Sequence, residues 1–173
     1  MNVSLSRRSF FKGQFRASAH PVARPPWALA EDVFVDTCSR CDKCIVSCEE
    51  GVIERAGGGY PEMNFSAGEC TFCGACAEAC NDSALVQNMA HDEAASPWDL
   101  IAQIGSSCLS AKGVTCRVCG DRCDARAIRF QLAVGGVANP VLDQSACTGC
   151  GACVAPCPTG AVEIKHSSKE EGS

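Results

Sequence analysis

The sequence predicts a small, loop-rich α+β fold made of two consecutive modules of similar design. Sixteen of the 173 residues are cysteine, only 6% are aromatic, and there are 16 glycines and 8 prolines. So few large side chains cannot build a large apolar core. We therefore expect bound metal to hold much of the fold together.

The cysteines fall into four groups, called motifs 1 to 4 below. Motifs 1, 2 and 4 have the spacing C-x2-C-x2-C-x3-C, whereas motif 3 has a longer first gap. In bacterial ferredoxins this run binds [4Fe-4S] clusters, and its fourth cysteine ligates the neighbouring cluster of a two-cluster pair. Four such groups predict four [4Fe-4S] clusters. The motifs are Cys38, Cys41, Cys44, Cys48; Cys70, Cys73, Cys76, Cys80; Cys108, Cys116, Cys119, Cys123; and Cys147, Cys150, Cys153, Cys157.

Two other roles for the cysteines are less favoured. Disulfides need an oxidising compartment, and four closely spaced cysteines have poor geometry for pairing within a group. Structural zinc sites normally use two separated C-x2-C pairs instead of three cysteines within seven residues.

The spacing of the motifs pairs motif 1 with motif 2 and motif 3 with motif 4. This predicts ferredoxin module 1 over residues 37–90 and ferredoxin module 2 over residues 107–166. Each cluster should take three cysteines from one motif and the last cysteine of its partner. The expected sets are Cys38, Cys41, Cys44 with Cys80; Cys70, Cys73, Cys76 with Cys48; Cys108, Cys116, Cys119 with Cys157; and Cys147, Cys150, Cys153 with Cys123.

Apolar residues follow each motif at the fourth and fifth positions after its last cysteine. We expect these pairs to form a short turn that covers a cluster and leads into a strand. A glycine turn between two extended runs also predicts a hairpin over residues 53–65 and another over residues 128–142. The apolar pairs are Val52-Ile53, Ala84-Leu85, Ala127-Ile128 and Ala161-Val162.

The segment 91–106 predicts a linker helix between the modules. Ser96 is a suitable N-cap, Pro97 follows at the first helical position, and Leu100, Ile101 and Ile104 form an apolar stripe. Residues 167–173 predict a polar, solvated tail.

Residues 1–36 are interpreted as a flexible basic arm. The stretch 6–12, SRRSFFK, resembles a twin-arginine export box. An export signal also needs an apolar run of roughly 7 to 15 residues. In this chain, charged residues and prolines interrupt the segment that follows the arginines. We therefore expect a cytoplasmic protein without membrane insertion, although the stretch ALA at 28–30 resembles a signal-peptide cleavage site.

The remaining 143 residues hold ten basic and twenty acidic side chains, after five basic and no acidic ones in residues 1–30. An acidic body is a poor match for nucleic-acid phosphates, so we expect a protein partner and no nucleic acid. The three histidines are scattered, and neither a phosphate loop nor a dinucleotide pattern is present. The sequence therefore predicts no enzyme.

Four arginines surround motif 3, and nearby positive charge favours an additional electron on a cluster. The cluster of motif 3 should therefore be the easiest to reduce. These residues are Arg117, Arg122, Arg126 and Arg129.

With these residues in view, the chain closely resembles the NapF-type ferredoxins, accessory proteins of the bacterial periplasmic nitrate reductase system. Beyond the cysteines, the resemblance rests on 6–8 (SRR), 24–27 (RPPW), 58–61 (GGYP), 98–100 (WDL) and the extended motif 3. It implies four [4Fe-4S] clusters, a cytoplasmic location, and contact with the catalytic molybdenum subunit before that subunit is exported.

The resemblance favours a maturation factor that supplies electrons to the immature molybdoenzyme. A general soluble electron carrier is the alternative, and a redox or oxygen sensor ranks third. Arg7 and Arg8 would dock onto the maturation machinery or the partner, or else form only a basic tail. The arm favours a dedicated partner, because a general carrier needs no extra docking segment.

Overall fold

The computed structural model describes residues 22–87, 97–132 and 138–167. Four short α-helices and six strands are present in these residues, together with 3-10 turns at Gly57–Gly59 and Ser110–Lys112. The helices are α1 (Glu31–Thr37), α2 (Lys43–Val46), α3 (Ala75–Glu78) and α4 (Val118–Asp121). The strands are β1 (Ile53–Arg55), β2 (Pro61–Met63), β3 (Leu100–Ile104), β4 (Ile128–Leu132), β5 (Ala138–Leu142) and β6 (Val162–His166).

Both predicted hairpins are confirmed. Strands β1 and β2 pair antiparallel with Ile53 opposite Met63, and β4 pairs with β5 with Ile128 opposite Leu142. In the first hairpin the turn between the strands contains Gly57–Gly59, as the sequence predicts. The residues between β4 and β5 lie outside the described part of the chain.

The interpretation of residues 1–36 as a flexible arm is wrong for residues 22–36. Ala28 forms an antiparallel bridge with Leu85, and the amide of Leu29 donates to the carbonyl of Ala84 at 3.1 Å. Phe34, in α1, has no exposed surface. The apolar side chains of this segment fill module 1, which explains why it does not behave as a solvated arm. Residues 1–21, with Arg7 and Arg8, lie outside the described residues.

Arg24 fastens this segment to module 1. Its Nε and Nη2 donate to Glu31 at 2.9 and 2.7 Å, and its Nη1 donates to the carbonyl of Pro61 at 2.9 Å. The guanidinium also lies 5.0 Å from the ring centroid of Phe34 and 5.4 Å from that of Tyr60. This arginine, counted above among the basic residues of the arm, is therefore neutralised within the fold.

The predicted linker helix over 91–106 is also wrong where the structure describes it. Residues Leu100–Ile104 form β3, which pairs antiparallel with β6, with Ala102 opposite Ile164. Leu100, Ile101 and Ala102 are all buried, at 2, 7 and 1% exposure. A short apolar run fits a buried strand as well as a helix, and the available edge of β6 decides between them. Module 2 therefore starts at β3 instead of residue 107; Ser96, the proposed N-cap, is outside the described residues.

The four apolar pairs that follow the last cysteines of the motifs are buried, and none of their eight residues is more than 5% exposed. They lead into β1, the Ala28 to Leu85 bridge, β4 and β6, as predicted. The third residue after each last cysteine has a left-handed φ, between 51° and 64°, at Gly51, Ser83, Arg126 and Gly160. Its amide donates to the carbonyl of that cysteine in all four repeats. The same turn thus directs each apolar pair inward.

Candidate metal centres

Left-handed residues bend the backbone around the cysteines of motifs 1, 2 and 4. In each of these motifs, the residue before the second cysteine and the residue after it have positive φ: Arg40 and Asp42, Phe72 and Gly74, Gly149 and Gly151. Alternation of this kind directs successive amides into one concave surface that suits anions and iron-sulfur sites. Motif 3 differs, because Arg117, which corresponds to Asp42, has φ −132°.

Four cysteines from motifs 1 and 2 line one cavity. Cys38, Cys41, Cys44 and Cys80 line a cavity that is partly open to solvent. Phe34, Ala84 and Leu85 form part of its apolar wall, and Ser39 Oγ donates to Asp82 at its rim. The cavity thus brings together the first three cysteines of motif 1 and the last cysteine of motif 2.

A second cavity in module 2 has the same composition. Cys108, Cys116, Cys119 and Cys157 line a cavity that is also partly open to solvent, with Phe130 among the other lining residues. Cys108 stands immediately before the long first gap of motif 3 and is buried. Three cysteines of motif 3 and the last cysteine of motif 4 therefore share this site.

The cysteines of motif 2 meet the last cysteine of motif 1. Burial raises the pKa of Cys70 to about 11, and the nearby thiols of Cys48 and Cys73 add to the rise. The pKa of Cys76 is raised to about 11 for the same reasons, again with Cys48 among its neighbours. Cys48 thus lies among the first three cysteines of motif 2.

The cysteines of motif 4 gather at the core of module 2. Burial raises the pKa of Cys153 to about 12, and Cys150 and Cys147 contribute as neighbouring thiols. Cys123 and Cys147 pack against the same buried group, which consists of Ala102, Ile128, Cys153 and Val162. The last cysteine of motif 3 and the cysteines of motif 4 therefore converge on one region.

Backbone amides donate to several of the sulfurs. The Ala161 amide lies 3.2 Å from Cys157 Sγ, and the Ala102 amide lies 3.4 Å from Cys147 Sγ. Burial opposes ionisation of Cys157, yet donors from Thr159 and Ala161 outweigh it and lower its pKa. An amide from Lys43 and the hydroxyl of Ser39 lower the pKa of Cys41. Such donors stabilise sulfur that carries negative charge.

These features fit an iron-sulfur cluster. Buried thiols with raised pKa values ionise when a cation compensates their charge, and soft thiolate donors suit iron-sulfur clusters. Within residues 22–87, 97–132 and 138–167, no three Cys, His, Asp or Glu side chains are grouped as ligands of one ion. The cysteines surround cavities instead.

The arginines near motif 3 are exposed. The guanidinium of Arg117 lies 5.2 Å from the ring centroid of Phe130, which lines the second cavity. One positive charge is therefore held beside that site through an aromatic ring.

Sequence reasoning missed three features near these centres. The first is the anchoring of Arg24 in module 1. The second is His166, whose Nδ1 lies 2.6 Å from Asp99 Oδ1 and whose Nε2 lies 3.2 Å from the carbonyl of Val22. The third is Trp98, which contacts residues of both modules. Local spacing patterns carry no signal for such long-range contacts.

Two family models match parts of the chain: the 4Fe-4S dicluster domain over residues 37–84 and the 4Fe-4S binding domain over residues 140–163. Motif 3 lies outside both segments. Together with the cysteine sites, these matches define an iron-sulfur electron-transfer protein of the ferredoxin type, with [4Fe-4S] clusters as its cofactor.

Full-length similarity gives the family. The chain is 41% identical over 166 residues to the ferredoxin-type protein NapF of Escherichia coli strain K12, covering 96% of this chain and 98% of the relative. It is 38% identical to NapF of Haemophilus influenzae strain Rd, with 97 and 98% covered. The methylamine utilization ferredoxin-type protein MauM of Methylorubrum extorquens is 31% identical, with 98 and 83% covered. The chain belongs to the NapF family of ferredoxin-type proteins.

No helix among the described residues is long and apolar enough to cross a membrane.

Proposed function

We propose that the chain carries four [4Fe-4S] clusters, numbered 1 to 4 after the motif that supplies three ligands. The cavity shared by Cys38, Cys41, Cys44 and Cys80 and its counterpart in module 2 support clusters 1 and 3. The ligands are Cys38, Cys41, Cys44, Cys80 for cluster 1; Cys70, Cys73, Cys76, Cys48 for cluster 2; Cys108, Cys116, Cys119, Cys157 for cluster 3; and Cys147, Cys150, Cys153, Cys123 for cluster 4.

The crossed ligand sets can be tested by double substitution. If Cys48 serves cluster 2, Cys48→Ser with Cys73→Ser alters one cluster of module 1, whereas Cys48→Ser with Cys41→Ser alters two. Anaerobic EPR and iron analysis of the purified protein measure the difference. Each double variant removes two thiols, so the two are matched. If both variants altered the same number of clusters, the crossed ligand sets would be contradicted.

The proposed role is to assist maturation of the catalytic molybdenum subunit of the periplasmic nitrate reductase. The protein would bind the precursor of this subunit in the cytoplasm and supply electrons before export. The observation that carries this role is the similarity to the NapF proteins over nearly the whole length of both chains. The residues of this chain would hold the clusters, keep them apart from water with the buried apolar pairs, and present the arm to the partner.

An anaerobic pull-down from cytoplasm with the tagged protein tests this role. We expect recovery of the precursor form of the molybdenum subunit, and loss of recovery in the variant Arg7→Gln with Arg8→Gln. The matched control, Lys12→Gln with Arg16→Gln, removes the same charge outside the arginine pair and should retain binding.

The outcomes separate the two candidate roles. Recovery lost equally in both variants would mean that the arm acts only through its total charge. If no subunit is recovered while the reduced protein still passes electrons to several acceptors, the maturation role fails and the protein is a general carrier.

A further inference from the structure

Trp98 lies between the two modules. Its ring packs edge-on against Phe65, with the centroids 6.0 Å apart, and against Phe72, with the centroids 5.3 Å apart. Both phenylalanines belong to module 1. On its other side, Trp98 Nε1 donates to the carbonyl of Thr148 at 2.8 Å, inside motif 4.

The backbones of motifs 2 and 4 touch beside this ring. The amide of Cys70 donates to the carbonyl of Cys150 at 2.8 Å. Phe65 packs directly over Gly151, so closely that a Cβ at Gly151 would overlap its ring. Both contacts join a residue of module 1 to the cysteine loop of motif 4.

Apolar side chains also take part in the contact between the two modules, which is called the joint below. Val154 and Ile164, both in module 2, pack against the buried core of module 1 as well as that of module 2. The two modules therefore share one apolar contact region that holds motif 2 against motif 4.

From this geometry we infer that Trp98 is a positioning residue that fixes cluster 2 against cluster 4, so that electrons cross between the modules at this pair. The inference rests on the four-cluster assignment proposed above. It orders the sites along the molecule as cluster 1, cluster 2, cluster 4 and cluster 3, which differs from their order in the sequence.

Contacts within each module agree with this order. Cys44 packs against the buried group of module 1 that contains Cys76, which brings clusters 1 and 2 together. Cys119 packs against the buried group of module 2 that contains Cys153, a ligand of cluster 4. Clusters 1 and 3 are thus the two ends of the series.

The step at the joint moves one electron. A one-electron donor such as dithionite would first reduce the site of motif 2 by one electron, and that site would return to its oxidised state as the electron passes to the site of motif 4. No bond forms or breaks, and no proton is required. The role of Trp98 is to hold the distance across which the electron passes.

The test compares the reduced full-length protein with Trp98→Ala and Trp27→Ala. Trp27 is the only other tryptophan of the chain and packs against the core of module 1, so its loss is a matched control for the removal of a large ring. Iron and sulfide content is measured first. EPR then reports magnetic interaction between reduced clusters through line broadening and microwave power saturation.

We expect cluster content to be unchanged in all three proteins. Trp98→Ala should lose part of the broadening and saturate at several-fold lower microwave power, while Trp27→Ala should resemble the unmodified protein. The magnetic interaction between clusters of the same module is common to all three proteins. The difference between Trp98→Ala and the other two therefore reports on the joint. If Trp98→Ala loses clusters, Trp98→Phe replaces it, since this variant keeps a smaller aromatic ring and loses the donor to Thr148.

Three results would overturn the inference. The first is an unchanged magnetic interaction between clusters in a Trp98 variant that keeps its full cluster content. The second is a loss of this interaction in Trp27→Ala that equals the loss in Trp98→Ala. The third is iron content below four clusters in the unmodified protein, which refutes the proposed cluster assignment itself and is recognised before any EPR comparison.

Discussion

Single residues decide how each cysteine motif ends. Ser83 and Arg126 occupy a left-handed turn that Gly51 and Gly160 occupy in the other repeats. The left-handed region costs an ordinary L-residue about 1–2 kcal/mol, whereas glycine enters it without that penalty. Two of the four turns therefore carry conformational strain that the glycine turns avoid.

Replacing Ser83 by glycine should stabilise the protein. The relief of strain exceeds the additional chain entropy of glycine by about 0.5–1 kcal/mol, which corresponds to a rise of about 2 °C in the midpoint of thermal cluster loss. The measurement is visible absorbance on heating under anaerobic conditions. Gly51→Ala is the opposite control, because its Cβ would meet no atom within 4 Å and only the φ penalty remains. A shift in the same direction for both variants would contradict the explanation.

Arg24 should contribute more to stability than other arginines near Tyr60. Its side chain is only 12% exposed and it binds Glu31 with two nitrogens, so Arg24→Gln should cost about 1–3 kcal/mol. Arg40, which is exposed and also lies 5.2 Å from the centroid of Tyr60, provides the control: Arg40→Gln should cost less than about 0.5 kcal/mol. Thermal midpoints of the two variants check this, and equal midpoints would exclude the anchoring role.

At the scale of elements, strands replace the helix that the linker pattern predicts. β3 pairs along its whole length with β6, so the segment forms a two-stranded sheet with the end of module 2. The bridge between Ala28 and Leu85 occupies the corresponding place in module 1. In both modules, a segment before the first cysteine is paired with the residues after the last one, which closes the fold around the cysteines.

The loop and helix of motif 3 should raise the reduction potential of cluster 3. Replacing Arg117, Arg122, Arg126 and Arg129 by glutamine should lower one potential out of four, because the positive charge that favours the additional electron is removed. The four side chains are exposed, so the difference from the unmodified protein should shrink as salt is added.

Anaerobic redox titration followed by EPR measures the four potentials. The control replaces Arg40 and Arg55 of module 1 by glutamine and should leave the potential of cluster 3 unchanged. Four unchanged potentials in the motif 3 variant would refute the role of its arginines.

For the whole molecule, the shared apolar joint makes the two modules interdependent. Val154 and Ile164 pack against both cores, and the crossed ligand sets draw the motifs of each module together. Loss of iron from one module should therefore expose the apolar surface that supports the other.

Treatment with an iron chelator under anaerobic conditions should thus remove all clusters in a single transition. Far-UV circular dichroism and visible absorbance should change together, because the strands depend on the bound metal. In Trp98→Ala we expect two separate transitions, since the modules no longer support each other. Two transitions in the unmodified protein would contradict the coupling between the modules.

Sequence alone determined the chemistry and the repeat. The spacing of the cysteines, the apolar pairs after each motif and the glycine turns of the hairpins act over fewer than about 15 residues, where local backbone geometry controls the outcome. The spacing of the motifs along the chain also predicts that motifs 1 and 2 share a module. The structure bears out the apolar pairs and both hairpins.

Only the tertiary structure decided the rest. Whether 100–104 is a helix or a strand depends on a partner edge sixty residues away, and whether Arg24 is a free charge depends on Glu31, Phe34 and Pro61. The hydrogen bond from Cys70 to Cys150 joins residues that no periodic pattern connects. Such contacts are determined by which surfaces can be buried together, and that depends on the packing of the whole chain.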